Sequence, residues 1–278
     1  MSDGPFPIFC RGHSGGRILC EAYSRNGIQM GRLALDRMDT TFFALSLNPR
    51  VRELVMYAYQ YPLLAANDRR RLQSLMRENI ALFRAEEIER EGPFGWKMGT
   101  SIFTMLVYLD AYPEGKCVHL IRDGRDVMLS RLDPRFDFAD AANRLMVFGD
   151  EKVNSFLNSP LTPQSVESMR TALEMKHWVT AVEYGLRGRE FVGRYLEVRY
   201  EDLCREPATQ AARIFAFLGI SLLNSTRDWL VETVSTARIG KWKSVPKSSI
   251  TLPLAIGQPL LNQLGYTEAD ILSSSKDV

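Results

Sequence analysis

A glycine-rich turn near the amino terminus places the strongest constraint on the fold of this chain. The apolar run 6–10 leads into Gly12, Gly15 and Gly16, and an apolar-periodic segment follows over residues 18–23. The run is typical of a strand buried on both faces, and the segment after it predicts an amphipathic helix. Glycines let backbone N–H groups approach a ligand closely, and the helix directs its unpaired N–H groups at the same point. The pattern predicts an anion site, most naturally for a phosphate.

This turn is not a Walker A loop, because the pattern Gly-x-x-x-x-Gly-Lys-Ser/Thr cannot be aligned with Gly12 to Arg17. A glycine turn that only joins a strand to a helix would have a similar sequence. The turn alone therefore leaves both interpretations open.

Composition excludes several classes of protein. The 278 residues carry 35 Lys and Arg against 33 Asp and Glu, so the net charge of +2 does not indicate nucleic-acid binding. The four cysteines show no C-x-x-C spacing and are expected to be buried free thiols. Histidines at 13, 119 and 177 lack metal-ligand spacing, and no metal is expected. Neither a secretory signal nor an apolar run long enough for a bilayer is visible, so we expect a cytoplasmic location without a transmembrane segment.

Predicted strands alternate with predicted helices along the chain. Besides the first strand, apolar runs at 95–98, 116–121 and 195–200 are strand candidates. Alternation of this kind predicts an α/β fold, a three-layer α/β/α arrangement with a central parallel sheet. We expect a single domain over 1–278, with helical insertions near 67–93 and 137–163 that cap a substrate site. Loops at the carboxyl ends of the strands should build one ligand crevice.

A second candidate for phosphate binding follows the strand at 116–121. Arg122 and Ser130 lie on either side of a strand-to-helix turn, eight residues apart. A guanidinium and a hydroxyl together bind a terminal phosphate through charge-assisted hydrogen bonds. The alternative is that Arg122, Asp123, Arg125 and Asp126 form surface ion pairs of little energetic worth.

In their order along the chain, these stretches resemble the sulfotransferase family that uses 3′-phosphoadenosine-5′-phosphosulfate (PAPS). Residues 7–19 (PIFCRGHSGGRIL) are similar to the 5′-phosphosulfate loop of that family, and residues 120–130 (LIRDGRDVMLS) to its 3′-phosphate motif. Residues 195–203 (YLEVRYEDL) are similar to a late strand and helix of the family, and residues 240–243 (GKWK) to its cofactor-covering segment. The resemblance implies a P-loop-like fold, PAPS as donor and 3′-phosphoadenosine 5′-phosphate (PAP) as product.

The resemblance also implies roles for individual residues. The 5′-phosphosulfate would be held by the loop residues, which are Arg11, Gly12, His13, Ser14, Gly15, Gly16, Arg17 and Ile18. Arg122 and Ser130 would hold the 3′-phosphate. The nucleotide would be contacted or covered by residues late in the chain, which are Tyr200, Arg238, Gly240, Lys241 and Trp242. For Tyr200, a buried aromatic side chain at a strand end is the alternative.

Two positions depart from the family pattern. His13 stands where a Lys or Arg is usual, and Gly16 where a hydroxyl residue is usual. Sulfuryl transfer needs positive charge beside the bridging oxygen, because negative charge accumulates there as the S–O bond breaks. Arg17 and Lys97, assisted by His13, are the candidates for that charge.

A base must accept the proton of the attacking acceptor group. Some members of the family place a His two residues after the strand lysine, but that position is Gly99 here. Asp39 is the first candidate, with Asp36 and Glu21 as alternatives. The acceptor would be a hydroxyl or amine of a carbohydrate, lipid or small molecule, and the enzyme would work without a metal. A homodimer is a further expectation. The rival hypotheses are an ATP-dependent phosphotransferase and a non-catalytic nucleotide-binding protein with a degenerate loop.

Overall fold

The structure is a computed structural model that describes residues 4–44, 47–131 and 163–266. The chain divides into two compact units. The first comprises Met1–Ile121 and Tyr184–Thr236, and the second comprises Arg122–Glu183 and Ala237–Val278. Each unit is described by itself, and the single domain expected from the sequence stays a prediction.

The first unit is built on a parallel sheet. Its strands are β1 (Ile8–Cys10), β4 (Cys117–Ile121) and β5 (Tyr195–Arg199), in the order β1-β4-β5. Ile8 is opposite Val118, and Val118 is opposite Leu196. Every residue of β1 and β4 is buried, as their apolar sequences predict for strands covered on both faces.

Helices cover both faces of this sheet. The first helix, α1 (Gly16–Arg25), begins beside Cys10: a β-carbon added to Gly16 would lie 2.8 Å from the Cys10 sulfur. Phe9 points to the opposite face, where its ring lies 6.0 Å from that of Tyr108 in α4 (Met105–Ala111). The three-layer α/β/α fold with a parallel sheet is thereby confirmed.

The remaining elements of the first unit connect and cover the strands. They include a short antiparallel hairpin of β2 (Leu33–Ala34) and β3 (Asp39–Thr40). The helices are α2 (Pro49–Ala58), α3 (Ala66–Glu87), α7 (Tyr200–Arg205), α8 (Pro207–Leu218) and α9 (Asn224–Thr233). The helix α3 occupies the stretch predicted as an insertion near 67–93, and its capping role stays a prediction.

One strand expected from the sequence is formed only in part. Residues 95–98 make a single parallel bridge, between Ile8 and Lys97, instead of a full strand. The backbone still runs beside β1, because Ile8 N donates to Trp96 O at 2.9 Å. Lys97 is therefore placed next to the strand that leads into the glycine turn.

The second unit contains α5 (Gly124–Ser130), most of α6 (Pro163–Leu186) and α10 (Lys247–Gln263). A β-carbon on Gly124 would lie 2.4 Å from the indole of Trp178, so α5 begins directly against α6. Of the insertion predicted near 137–163, all but the last residue lies outside the described residues. In the part of the chain that the structure describes, no helix combines the length and apolarity needed to cross a membrane.

Candidate functional site

The glycine turn joins β1 to α1 through two left-handed residues. His13 has φ 70° and Gly15 has φ 89°, while Ser14 N donates to Arg11 O at 3.1 Å and closes the turn. A positive φ suits Gly15 because it has no Cβ, and it is uncommon for a residue such as His13. The expected strand–turn–helix unit is present, with the turn at the carboxyl end of β1.

Ser14 and the start of α1 form the anion-binding part of the turn. The Ser14 side chain is 1% exposed, and its Oγ makes no hydrogen bond to any residue that the structure describes. A buried hydroxyl without a partner is costly unless a ligand supplies one. The first N–H groups of α1 have no carbonyl one turn earlier, and the positive end of the helix dipole lies here. These groups fit a phosphate or sulfuryl oxygen.

The ring of Tyr200 supports the turn from within the protein. A β-carbon on Gly15 would lie 2.2 Å from this ring, and Tyr200 is 3% exposed at the start of α7. The contact agrees with the alternative of a buried aromatic side chain at a strand end. Direct contact between Tyr200 and a nucleotide stays a prediction.

Lys97 crosses the turn at Gly16. A β-carbon on Gly16 would lie 2.8 Å from Cε of Lys97, so the absent side chain leaves the space that the lysine occupies. The neighbouring Cys10 is buried, and burial raises the pKa of its thiol to about 11, which keeps it protonated at neutral pH. The departure from the family pattern at Gly16 is thus linked to the position of Lys97.

The ammonium of Lys97 is bound by the β2–β3 hairpin. Its Nζ lies 2.7 Å from Oδ1 of Asp39 and donates to Arg37 O at 2.9 Å. Backbone contacts fix the hairpin beside it, since Thr40 N donates to Lys97 O at 2.8 Å. Two of the three N–H bonds of the ammonium therefore have acceptors within the protein.

The three candidate bases have different surroundings. Asp39 contacts Lys97, whereas Asp36 is 65% exposed and pairs with Arg37 at 3.0 Å. Glu21 pairs with Arg25 on the surface of α1 at 2.8 Å. Of the three, Asp39 is thus the carboxylate held against the lysine that crosses the turn.

The last two loop residues face away from the buried part of the turn. Arg17 is exposed, and its guanidinium lies 3.5 Å from Asp36 O. The Ile18 side chain packs against the apolar cluster of α1, α8 and α9, and its N–H donates to Gly15 O at 3.0 Å. The contribution of Ile18 to the turn is structural in this arrangement, and its predicted contact with the donor is untested.

In the second unit, the residues after β4 form a buried network around Asp126. Arg122 and Asp126 are 5% and 2% exposed, and Arg122 Nη2 lies 3.5 Å from Asp126 Oδ2. The same Nη2 donates to Arg238 O at 2.6 Å. Ser130, the last residue of α5, is half-buried. The alternative of solvent-exposed surface pairs is wrong here, because burial removes the screening that makes such pairs weak.

Arg125 completes this network on the side of Trp242. Its guanidinium makes a bidentate pair with Asp123, with Nη2 2.7 Å from Oδ2, and lies 3.9 Å from the centre of the Trp242 ring. Trp242 itself is 6% exposed, whereas Arg238 and Lys241 are exposed. The predicted covering segment is therefore attached to α5 by a cation–π contact.

Asp126 is a residue that the sequence analysis did not select. It accepts hydrogen bonds from Gly240 N at 2.7 Å and from Trp242 N at 3.1 Å. Burial raises the pKa of its carboxyl, although Arg122 and the two N–H groups oppose that shift. It lies in the first turn of α5, and its backbone partners are more than a hundred residues away in the sequence, so no local pattern marked it.

Comparisons with known proteins identify the family. A model described as the sulfotransferase family matches residues 34–224, which is more than half of the chain. The chain belongs to the sulfotransferase family. The matched range of this sulfotransferase contains Lys97, Arg122, Ser130 and Tyr200, while the glycine turn and residues 238–242 lie outside it.

Relatives and solved structures agree with this assignment. Carbohydrate sulfotransferase 1 of Danio rerio is 29% identical over 117 residues, covering 41% of this chain and 25% of that protein. The chain spans about a quarter of the length of the curated relatives it matches. A sulfotransferase domain from the Synechococcus PCC 7002 olefin synthase has a TM-score of 0.51 at 18% identity, covering 91% of this chain and 95% of that domain. Mouse sulfotransferase SULT7A1, solved in complex with PAP, has a TM-score of 0.50 at 11% identity, covering 97% and 87%. These structures show the fold.

Proposed function

We propose that this protein transfers a sulfuryl group from PAPS to a carbohydrate hydroxyl, without a metal. Membership in the sulfotransferase family supports the reaction, and the similarity to a carbohydrate sulfotransferase supports the acceptor class. One observation carries the proposal. The buried ammonium of Lys97 crosses a glycine turn that presents a helix amino terminus and a Ser14 hydroxyl with no hydrogen-bond partner among the described residues.

Two groups of residues would hold the donor. The turn from Arg11 to Arg17 would bind the 5′-phosphosulfate through N–H groups and the Ser14 hydroxyl. Arg122 and Ser130 would bind the 3′-phosphate, and the segment with Arg238, Gly240, Lys241 and Trp242 would cover the nucleotide. At both positions, hydrogen-bond donors of the protein would meet negatively charged oxygens of the nucleotide.

The chemical step is an in-line displacement at sulfur. The acceptor oxygen forms a new S–O bond while the bond from sulfur to the bridging oxygen breaks, and PAP leaves with the electron pair. Lys97, with Arg17 and His13, would stabilise the negative charge that develops on the bridging oxygen. Asp39 would take the acceptor proton, so that a neutral hydroxyl ends as a sulfate ester.

A thermal-shift titration tests the donor assignment. PAP is compared with 5′-AMP, ADP and magnesium-ATP. A ligand at a hundred times its dissociation constant stabilises the fold by about 2.7 kcal/mol. We expect PAP to give the largest shift and Arg122→Ala to reduce it. A response to magnesium-ATP alone would instead favour the phosphotransferase, and no response to any ligand would show that the turn binds no nucleotide.

Transfer of radiolabelled sulfate tests the acceptor class. The panel contains oligosaccharides, phenols, amines and glycolipids, all with PAPS as donor. We expect label on carbohydrate hydroxyls in preference to the other acceptors. Label on phenols or amines alone would contradict the carbohydrate assignment while leaving sulfuryl transfer intact. PAP binding without label on any acceptor would favour the non-catalytic nucleotide-binding protein.

A further inference from the structure

The carboxylate of Asp126 connects three parts of the second unit. Both of its oxygens accept backbone N–H groups of the covering segment, Gly240 N at 2.7 Å and Trp242 N at 3.1 Å. One of the oxygens also lies 3.5 Å from Arg122 Nη2. The side chain is fully buried, so these contacts replace water as its surroundings.

Arg122 is also held by the backbone of Arg238, two residues before Gly240. Its Nη2 donates to Arg238 O at 2.6 Å, and its own carbonyl accepts from Trp178 Nε1 at 3.0 Å. Arginine presents its donors in a rigid planar fork. A contact at Nη2 therefore fixes the direction in which the remaining donors point.

The covering segment is in turn fixed to α5 at Trp242. Gly240 adopts φ 73°, and the 3₁₀ turn Lys241–Ser244 begins directly after it. Asp126 bonds N–H groups at the start of that turn, where a short helix has donors without intrahelical acceptors. Arg125 then packs its guanidinium 3.9 Å from the centre of the Trp242 ring.

We propose that Asp126 is a positioning residue that orients Arg122 toward the 3′-phosphate and holds the covering segment closed over the same group. The proposal rests on the proposed function, because it needs a donor with a 3′-phosphate. Asp126 bonds to protein groups in this network, and it would act on the ligand through Arg122 and residues 238–242. Its removal should weaken the recognition of the 3′-phosphate more than the recognition of the rest of the nucleotide.

The variant Asp126→Asn separates these effects. An asparagine has one side-chain oxygen and an NH₂ group, so one of the two backbone N–H groups would face a donor instead of an acceptor. The charge opposite Arg122 is also lost. We expect affinity for PAP to fall by about tenfold or more, in the range of a lost charge-assisted hydrogen bond.

Calorimetric titration with PAP and with 5′-AMP measures the preference for the 3′-phosphate. We expect the ratio of the two affinities to fall in Asp126→Asn, with the affinity for 5′-AMP changed little. An equal loss of affinity for both ligands, as a general loss of structure would cause, would refute the proposal. Asp228→Asn is the matched control, because Asp228 is an exposed aspartate paired with its neighbour Arg227 at 2.8 Å, and it should keep the wild-type ratio.

Two further measurements test the route of the effect. The double variant Asp126→Asn with Arg122→Ala should lose little more than Arg122→Ala alone, since coupled residues are not additive. Hydrogen exchange at the amides of Gly240 and Trp242 should be faster in Asp126→Asn than in the wild type. Full additivity, or unchanged exchange, would contradict the proposal.

Asp126→Glu provides a second variant if Asp126→Asn does not fold. It keeps the charge and lengthens the side chain by one methylene, so we expect an intermediate PAP preference. An unchanged preference in the variants that fold would refute the role of Asp126. A wild-type protein that does not prefer PAP over 5′-AMP would instead refute the proposed function itself, which makes the two failures distinguishable.

Discussion

At the scale of single residues, Gly16 sets the path of the lysine proposed to assist catalysis. A β-carbon there would lie 2.8 Å from Cε of Lys97 and 2.8 Å from the sulfur of Cys10. We expect Gly16→Ala to destabilise the protein by about 1–3 kcal/mol through overpacking and to displace the lysine. Urea unfolding measures the first effect, and the rate of sulfuryl transfer measures the second.

The control is to make Gly16→Ala in a protein that already carries Lys97→Ala. Removal of the lysine side chain opens one of the two contacts, so Gly16→Ala should cost less stability there than in the wild type. An equal cost in both backgrounds would show that Cys10 alone limits the space at this position. The comparison is a double-mutant cycle between two residues in contact.

Asp39 is expected to be the base, and chemical rescue distinguishes that role from support of Lys97. Asp39→Ala should lower the rate of transfer by about 10²- to 10⁴-fold, the usual contribution of a general base. Added formate should restore part of the rate if Asp39 accepts the proton, because a small carboxylate can enter the space left by the side chain. The measurement is the initial rate with and without formate.

Asp36→Ala and Glu21→Ala are the matched controls for Asp39. Both carboxylates pair with a nearby arginine instead of with Lys97, so each substitution should leave the rate nearly unchanged. A large loss in either variant, rescued by formate, would assign the base to that residue. A loss in Asp39→Ala that formate does not restore would indicate that Asp39 only positions the lysine.

The sequence predicted which residues form the turn, but it did not predict which residues they contact. Glycines and an apolar flank are local signals, so the turn and the start of α1 at Gly16 were predictable. The ion pair of Lys97 with Asp39 joins residues 58 positions apart, and no local pattern reports such a contact. Asp126 was missed for the same reason, since its partners Gly240 and Trp242 lie more than a hundred residues away.

At the scale of elements, the central strand β4 carries a histidine that makes folding depend on pH. His119 is fully buried, and its Nδ1 lies 2.7 Å from the Tyr195 hydroxyl. Burial lowers its pKa from 6.5 to about 4; the negative charge of Glu197 opposes this shift, and the positive charge of Arg189 adds slightly to it. Below pH 6.5 the unfolded chain takes up a proton that the folded chain does not, so this contribution to stability is lost as the pH falls toward 4.

His119→Asn tests this dependence. The asparagine keeps a polar group near the Tyr195 hydroxyl but does not titrate. We expect the wild type to lose on the order of 2 kcal/mol between about pH 7.5 and pH 5 through this group, and the variant to lose correspondingly less. Urea unfolding at several pH values across this range gives the slope of the free energy of unfolding against pH for each protein. The difference in this free energy between the two proteins above pH 7 serves as the reference. Parallel slopes would contradict the assignment.

Some elements carry strong local signals for their ends. The helix α8 begins at Pro207 and ends at Leu218 before Gly219, which has φ 76°, as a proline at the first turn and a terminal glycine predict. The β2–β3 hairpin has no comparable signal, because strands of two residues have no measurable periodicity. Its position depends on contacts with Lys97, which are tertiary.

At the scale of the whole molecule, the order of motifs predicted the family, although no single motif is decisive. The family match confirms that reading over residues 34–224, and the parallel sheet with helices on both faces confirms the fold class. The cytoplasmic location and the homodimer stay predictions. Neither follows from the buried contacts of one chain, because both depend on surfaces and segments that meet other molecules.

The proposed reaction also predicts how the whole enzyme responds to chelators. Among the described residues, no three His, Cys, Asp or Glu side chains are grouped to hold a metal ion. Positive charge for the transition state would come from Lys97 and Arg17 instead, and cationic side chains need no exchangeable ion. We therefore expect the rate of sulfuryl transfer from PAPS to be the same with excess EDTA as without it. A rate that falls with EDTA and returns with magnesium would contradict this and would show that sulfuryl transfer by this protein needs a divalent cation.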